Sequence, residues 1–146
     1  MSLLSFVKEA GEKLLDLLTP GNANASEQLK EHISKVGLGN PNVQATVDGD
    51  KVTVTGEVAS QEEKEKILLA VGNIAGVGSV DDQITVTGPV VVAAKFVVVE
   101  KGDTLSAISL RVYGDANKYQ KIFEANKPML KDVNKIYPGQ SLRIPE

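Results

Sequence analysis

The sequence predicts an α+β protein in which two small modules follow an N-terminal amphipathic helix. Alternating apolar runs typical of strands interleave with stretches of helical spacing, and turn or capping residues separate them. A Gly-Pro break also divides the 146-residue chain into two patterned parts. The predicted divisions are a helical segment over residues 1–25, a first module over 26–87, a linker over 88–94 and a second module over 95–146.

The N-terminal segment has apolar residues at helical spacing, and charged residues interrupt every apolar run. This pattern fits neither a secretory signal nor a membrane span, so we expect a cytoplasmic protein. The polar face carries three acids against two lysines, which favours docking on the protein's own body over a membrane surface. The residues on the apolar face are Leu3, Phe6, Val7, Ala10, Leu14, Leu17 and Leu18.

The first module reads as α-β-β-α-β, with its helices on one face of a sheet. Its first helix, "SEQLKEHISKVG", is predicted to have Ser26 as N-cap and Gly37 as C-cap, with His32 half-exposed beside the apolar stripe. "NVQATVDGDKVTVTGEV" predicts a hairpin turning at Asp48-Gly49. Ser60, followed three residues later by Glu63, predicts the start of the second helix, and "VDDQITVT" predicts the third strand.

The second module reads as β-α-α-β. "KFVVVEKG" predicts its first strand, and the following helix is predicted to be capped by Asp103 or Thr104. "DANKYQKIFEANK" predicts the other helix, and Pro138-Gly139 predicts a turn into the last strand, which should pair antiparallel with the first. The predicted inward residues of the two helices are Leu105, Ile108, Val112, Tyr119, Ile122 and Phe123.

Composition excludes several classes of function. The chain has no cysteine and one histidine, which excludes disulfides and thiol catalysis and disfavours transition-metal sites. A net charge of −3 without a basic patch argues against a nucleic-acid partner. No serine or cysteine elbow accompanies His32, and the adjacent Asp81 and Asp82 would point to opposite faces of a strand. We therefore expect that the protein is not an enzyme. We also expect a monomer.

Two family resemblances cover most of the chain. The motifs "GDTL", "YG", "IFEAN" and "YPGQSLRIP" resemble a LysM module over residues 95–145, while the element order and "GNIAGVGSVDD" resemble a BON domain over residues 26–87. With "SFVKEAGEKL" in front, the whole chain resembles the small cytoplasmic potassium-binding proteins of bacteria that combine these two modules. The resemblance implies a K⁺-binding protein that senses or buffers potassium, with an unknown protein partner reached through the LysM surface.

The glycine-rich stretch "AVGNIAGVGSV" follows a predicted helix, whose last carbonyls lack intrahelical partners. K⁺ is best held by neutral oxygens, and glycines would let released carbonyls turn inward. The family resemblance implies that this stretch and the N-terminal segment both supply main-chain oxygens. The implied K⁺ ligands are the carbonyls of Val7, Lys8, Ala10, Gly72, Ile74 and Val77, and Rb⁺ and Cs⁺ are further candidate ions.

Two alternatives remain open at this point. In the first, the glycine-rich stretch only ends a helix and turns into a strand, which would be the whole role of Gly72, Gly76 and Gly78. Asp81 and Asp82 would then be either solvated residues or negative charges near a cation. The other alternative is an envelope adaptor, because LysM modules generally bind N-acetylglucosamine-containing glycans. Its groove would lie between Gly102–Leu105 and Pro128–Ile136, while Phe96 and Tyr119 are assigned to the small core of that module.

Overall fold

The computed structural model describes residues 2–6, 25–38, 42–74, 76–89, 91, 94–127, 129–133 and 135–145. Within them the chain forms a four-stranded sheet in the order β1-β4-β3-β2 and a separate two-stranded sheet, β5-β6. The strands are β1 (Ser2–Ser5), β2 (Val43–Asp48), β3 (Lys51–Val58), β4 (Ser79–Val86), β5 (Lys95–Val98) and β6 (Ser141–Ile144). The helices are α1 (Ala25–Lys35), α2 (Gln61–Gly72), α3 (Leu105–Tyr113) and α4 (Tyr119–Ala125).

The first module confirms the predicted α-β-β-α-β order. Strands β2 and β3 pair antiparallel around a tight turn, in which Gly49 takes the positive φ of 63° that turns of this kind require. Helix α2 then crosses over the sheet, so β4 runs parallel to β3. Alternate residues of the strands form one core with both helices, chiefly Leu29, Ile33, Val52, Val54, Ile67, Val71, Val80 and Ile84.

The helix ends in this module follow from local sequence. Helix α1 begins at Ala25, so Ser26 lies inside the first turn and the prediction that it is the N-cap was wrong. Its C-terminal prediction is confirmed: Gly37 has φ 93°, and the Leu38 N–H donates to the Ile33 carbonyl at 3.0 Å. At the start of α2 the Ser60 hydroxyl accepts from the Glu63 N–H at 3.1 Å, as predicted.

The first residues of the chain form a strand, where the sequence predicted an amphipathic helix. Residues Ser2–Ser5 pair antiparallel with β4, and Leu4 lies opposite Val80. The outer edge of β4 would otherwise present unpaired backbone groups, and β1 supplies their partners. Tertiary pairing therefore overrides a helical pattern in this part of the chain. Residues 7–24 of the predicted helical segment lie outside the described residues.

The second module confirms the predicted β-α-α-β order. Strands β5 and β6 pair antiparallel, and the Thr104 hydroxyl caps α3 by accepting from the Ala107 N–H at 3.1 Å. Gly114 ends α3 with φ 74°, and a short 3-10 turn over Ala116–Lys118 leads into α4. The fully buried core residues are Leu105, Ile108, Ile122 and Leu142, against which Val112, Tyr119 and Phe123 pack half-buried.

The environment of Tyr113 predicts that the fold loses stability at high pH. Its hydroxyl donates to the Pro145 carbonyl, and burial raises its pKa, against a smaller lowering influence of Arg143. The folded state holds the phenol proton more tightly than the unfolded state does. The protonated Tyr113 hydroxyl therefore makes its full contribution to the free energy of unfolding below the unfolded pKa of about 10. That contribution is lost as the pH rises through the folded pKa. In thermal melts across this range, wild type should lose more stability than Tyr113→Phe. Parallel pH profiles would contradict this assignment.

Candidate functional site

The glycine-rich connection between α2 and β4 folds into a tight turn. Helix α2 ends at Gly72, and the Asn73 N–H still donates to the Leu69 carbonyl at 2.9 Å. The Val77 N–H then donates to the Ile74 carbonyl at 3.1 Å, and Gly76 has φ 97°. The helix therefore stops where the sequence predicted, and a glycine allows the chain to reverse towards β4.

Three of the predicted K⁺ ligands, Gly72, Ile74 and Val77, lie in or beside this turn. The side chains of Ile74 and Val77 are fully buried, which fixes the backbone that carries their carbonyls. The Ile74 carbonyl already accepts one hydrogen bond, and a carbonyl oxygen has a second lone pair for another partner. The other three predicted ligands, Val7, Lys8 and Ala10, lie outside the described residues.

The aromatic ring of Phe6 lies directly on Gly72. A Cβ atom at residue 72 would come within 2.2 Å of the ring carbons, so only glycine leaves room for this contact. The Phe6 N–H also donates to the Gly78 carbonyl at 3.0 Å. The residue immediately before Val7 therefore contacts both ends of the glycine-rich connection. The sequence predicted that Gly72 ends the helix. It did not indicate that an aromatic ring packs against the same residue.

Asn73 joins this connection to the second module. Its Nδ2 donates to the Ser141 carbonyl at 2.9 Å, and its Oδ1 accepts from the Ser141 N–H at 2.8 Å. The side chain thus pairs with β6 as a neighbouring strand would, and it is 7% exposed. Asn73 lies between Gly72 and Ile74 in the chain, so a change in that turn acts directly on the contact between the modules. The sequence offered no signal for this role beyond an amide after a helix.

A buried ion pair forms a second link between the modules. The Arg143 Nε lies 2.7 Å from Oε1 of Glu65, whose side chain is 4% exposed. The other carboxylate oxygen of Glu65 accepts from the Ala94 N–H at 2.9 Å and from the Gln61 amide at 3.1 Å. Helix α2 and the residue that follows it therefore provide these two polar links to β6.

Phe96 and Met129 add apolar contacts between the modules. Both are half-buried against the core of the first module. The sequence assigned Phe96 to the core of its own module. That assignment was wrong, because the neighbouring module supplies the apolar surface on which the ring packs.

Asp81 and Asp82 lie on opposite faces of β4 as predicted, whereas His32 differs from expectation. Asp82 is 5% exposed and lies 2.9 Å from the Lys64 ammonium, which rules out one of the two alternatives for it, a solvated residue. Asp81 accepts from the Gln83 amide on the opposite face of β4. His32 is 6% exposed where half exposure was predicted, because it lines a cleft between α1 and the second module. In the described ranges no group of three or more acidic or histidine side chains could hold a metal ion.

The helices that the structure describes include none with the length and apolar character needed to span a bilayer. Two family models match the chain. A BON domain model matches residues 22–88, and a LysM domain model matches residues 97–145.

Two known proteins are similar to this chain. The "Potassium binding protein Kbp" of Escherichia coli O6:H1 strain CFT073 is 56% identical over 150 aligned positions, which cover 100% of this chain and 99% of that protein. The "Uncharacterized protein YqbP" of Bacillus subtilis strain 168 is 38% identical over 63 residues, which cover 37% of this chain and 29% of that protein. Full-length identity at this level, with both domain matches, shows that the chain belongs to the two-module BON–LysM family that includes Kbp.

Proposed function

We propose that this protein binds K⁺ through main-chain carbonyls of the glycine-rich connection and the N-terminal segment, and that the bound ion orders the contact between the two modules. The full-length relative is named for potassium binding. The ligands that we propose are the carbonyls of Val7, Lys8, Ala10, Gly72, Ile74 and Val77. Rb⁺ and Cs⁺ are further candidate ions for the same site, since neutral oxygens suit large monovalent ions.

The proposal rests mainly on the contact between the Phe6 ring and Gly72. Carbonyls from two distant parts of the chain can share an ion only if those parts meet, and Phe6 contacts Gly72 and Gly78 one residue before Val7. No carboxylate is needed among the ligands. The charge of Asp82 is already compensated by Lys64, which is consistent with a site for a monovalent ion rather than for Ca²⁺.

The link through Asn73 gives the ion a way to act on the second module. An ion that holds the carbonyls of Gly72 and Ile74 also fixes the backbone from which the Asn73 amide reaches Ser141. A ligand that binds one arrangement of the modules better stabilises that arrangement by the difference in affinity. The protein would thus report or buffer potassium through the contact between its modules.

Calorimetry in alkali-free buffer tests this function. Titration with KCl should release or absorb heat and saturate, while NaCl at the same concentration should give only the heat of dilution. Asp81→Asn is the matched control, because it removes a charge from β4 without altering the proposed ligands, and it should bind K⁺ like wild type. Equal heats with both salts, or none with either, would contradict a selective site.

The LysM match supports glycan binding as a second candidate function. The two functions differ in a simple titration, because an N-acetylglucosamine oligomer should shift resonances of Gly102–Leu105 in the second module, whereas K⁺ should shift those around Gly72 and Gly78.

A further inference from the structure

A cleft of about 350 Å³ lies between the two modules and reaches the glycine-rich connection at Asn73. Its walls come from the C-terminal ends of α1 and α2 and the residues that follow them on one side, and from residues 129–131, 135, 137 and 140 of the second module on the other. Val36, Ala70 and Leu130 give it an apolar part, while Lys131 and Lys135 contribute two exposed ammonium groups. The volume falls within the range of small-molecule sites.

Gln140, in the wall of this cleft, contains an unexplained polar atom. The residue is 4% exposed, and its Oε1 is buried without a hydrogen-bond partner. Most buried polar atoms in native proteins have partners, and an unpaired one carries a desolvation penalty. An N–H or O–H group of a ligand in the cleft would remove that penalty.

The charges of the cleft decide between kinds of ligand. Two lysine ammonium groups repel K⁺ or any other cation, and in the part of the chain that the structure describes neither lysine forms an ion pair with a carboxylate. An anionic group is attracted instead, even though the protein as a whole has a net charge of −3. A hydrogen-bond donor on the same molecule would give the oxygen of Gln140 a partner.

We propose that the cleft binds a small organic anion that carries a hydroxyl or amino group. Its phosphate or carboxylate would meet Lys131 and Lys135, its donor would bond to Oε1 of Gln140, and its carbon skeleton would lie on Val36 and Ala70. A polyol, a free inorganic anion or a metal ion satisfies only part of this lining.

The occupant of the cleft would contact both modules and thereby couple to the proposed K⁺ site. Asn73 lines the cleft and also bonds to Ser141 from its place between Gly72 and Ile74. If both ligands favour the same arrangement of the modules, each raises the affinity for the other by the same factor. This coupling rests on the proposed function, whereas binding of the anion does not.

The test is a titration of the full chain, followed by backbone amide NMR, with ribose 5-phosphate and citrate as probes. The two probes distinguish a phosphate ligand from a carboxylate ligand. Ribose, which has only the hydroxyl groups, and inorganic phosphate, which has only the anionic group, serve as the partial ligands for comparison. At least one probe should bind more tightly than ribose or inorganic phosphate alone. Its binding should change the amide chemical shifts of α1, α2 and residues 129–140. A paired Lys131→Gln and Lys135→Gln variant should weaken binding by about tenfold or more, as should Gln140→Leu.

A matched control carries Lys95→Gln with Lys101→Gln, which makes the same change in net charge at exposed lysines that do not line the cleft. This control should bind like wild type. Failure of both probes, equal weakening by the control, or unchanged binding in Gln140→Leu would overturn the site. Titrations with and without KCl then test the coupling: equal affinities would refute it while leaving the anion site intact.

Discussion

Gly72→Ala is expected to displace the Phe6 ring and, with it, the N-terminal segment. A methyl group at residue 72 would come within 2.2 Å of the ring, and overpacking a buried contact costs about 1–3 kcal/mol of folding free energy. Because the proposed K⁺ ligands flank this contact, we also expect the K⁺ affinity to fall by about tenfold or more. Chemical denaturation and calorimetry on the same samples measure the two effects.

A matched variant and a double-mutant cycle separate this contact from a general loss of stability. Gly49→Ala strains a left-handed turn residue in the same module, so it should destabilise the fold while K⁺ binding survives. Phe6→Leu should leave room for the added methyl group, so Gly72→Ala should cost less in that background than in wild type. Additive effects of the two substitutions would show that the ring and the glycine do not act on one another.

The sequence predicted the elements whose causes are local. The hairpin around Gly49, the cap at Ser60 and the Schellman end at Gly37 each depend on a few neighbouring residues, and all three form as expected. Strand β1 was missed because its cause is not local. Its apolar residues fit a helical spacing, but the unpaired edge of β4, some 75 residues away in the sequence, provides the hydrogen bonds that make it a strand.

The contacts between the modules could not be predicted for a similar reason. Glu65 lies inside "SQEEKEKILLAVG", where a glutamate is normally solvated. Nothing near it in the sequence indicates that Arg143 will pair with it and cover it. Asn73 likewise fits the end of a helix, and its side-chain partners Ser141 and Met129 are remote in the sequence. Proposed ligands that are main-chain oxygens leave no side-chain signature, so the K⁺ site was identified through the family resemblance and remains a prediction.

Arg143→Ala is expected to have the second large effect, by leaving a carboxylate buried without its counter-ion. The Glu65 side chain is 4% exposed and that of Arg143 is 12% exposed, so solvent screens the pair poorly. Breaking one partner of such a pair costs about 3–5 kcal/mol, whereas an exposed pair is worth about 0–1 kcal/mol. Arg111→Ala is the matched control, because its side chain is 42% exposed and pairs with Asp103 at the surface. Urea denaturation of both variants measures the difference.

The consequence for the proposed mechanism is specific to the contact between modules. Since Arg143 and Glu65 join β6 to α2, their loss should populate arrangements in which Asn73 no longer reaches Ser141. If K⁺ binds the closed arrangement, its apparent affinity falls in proportion to the closed fraction, and saturating K⁺ should restore the compact form in small-angle scattering. Combining Glu65→Leu with Arg143→Met removes both charges together and should recover much of the lost stability. A K⁺ affinity unchanged in Arg143→Ala, alongside measurable opening, would separate ion binding from the contact between the modules.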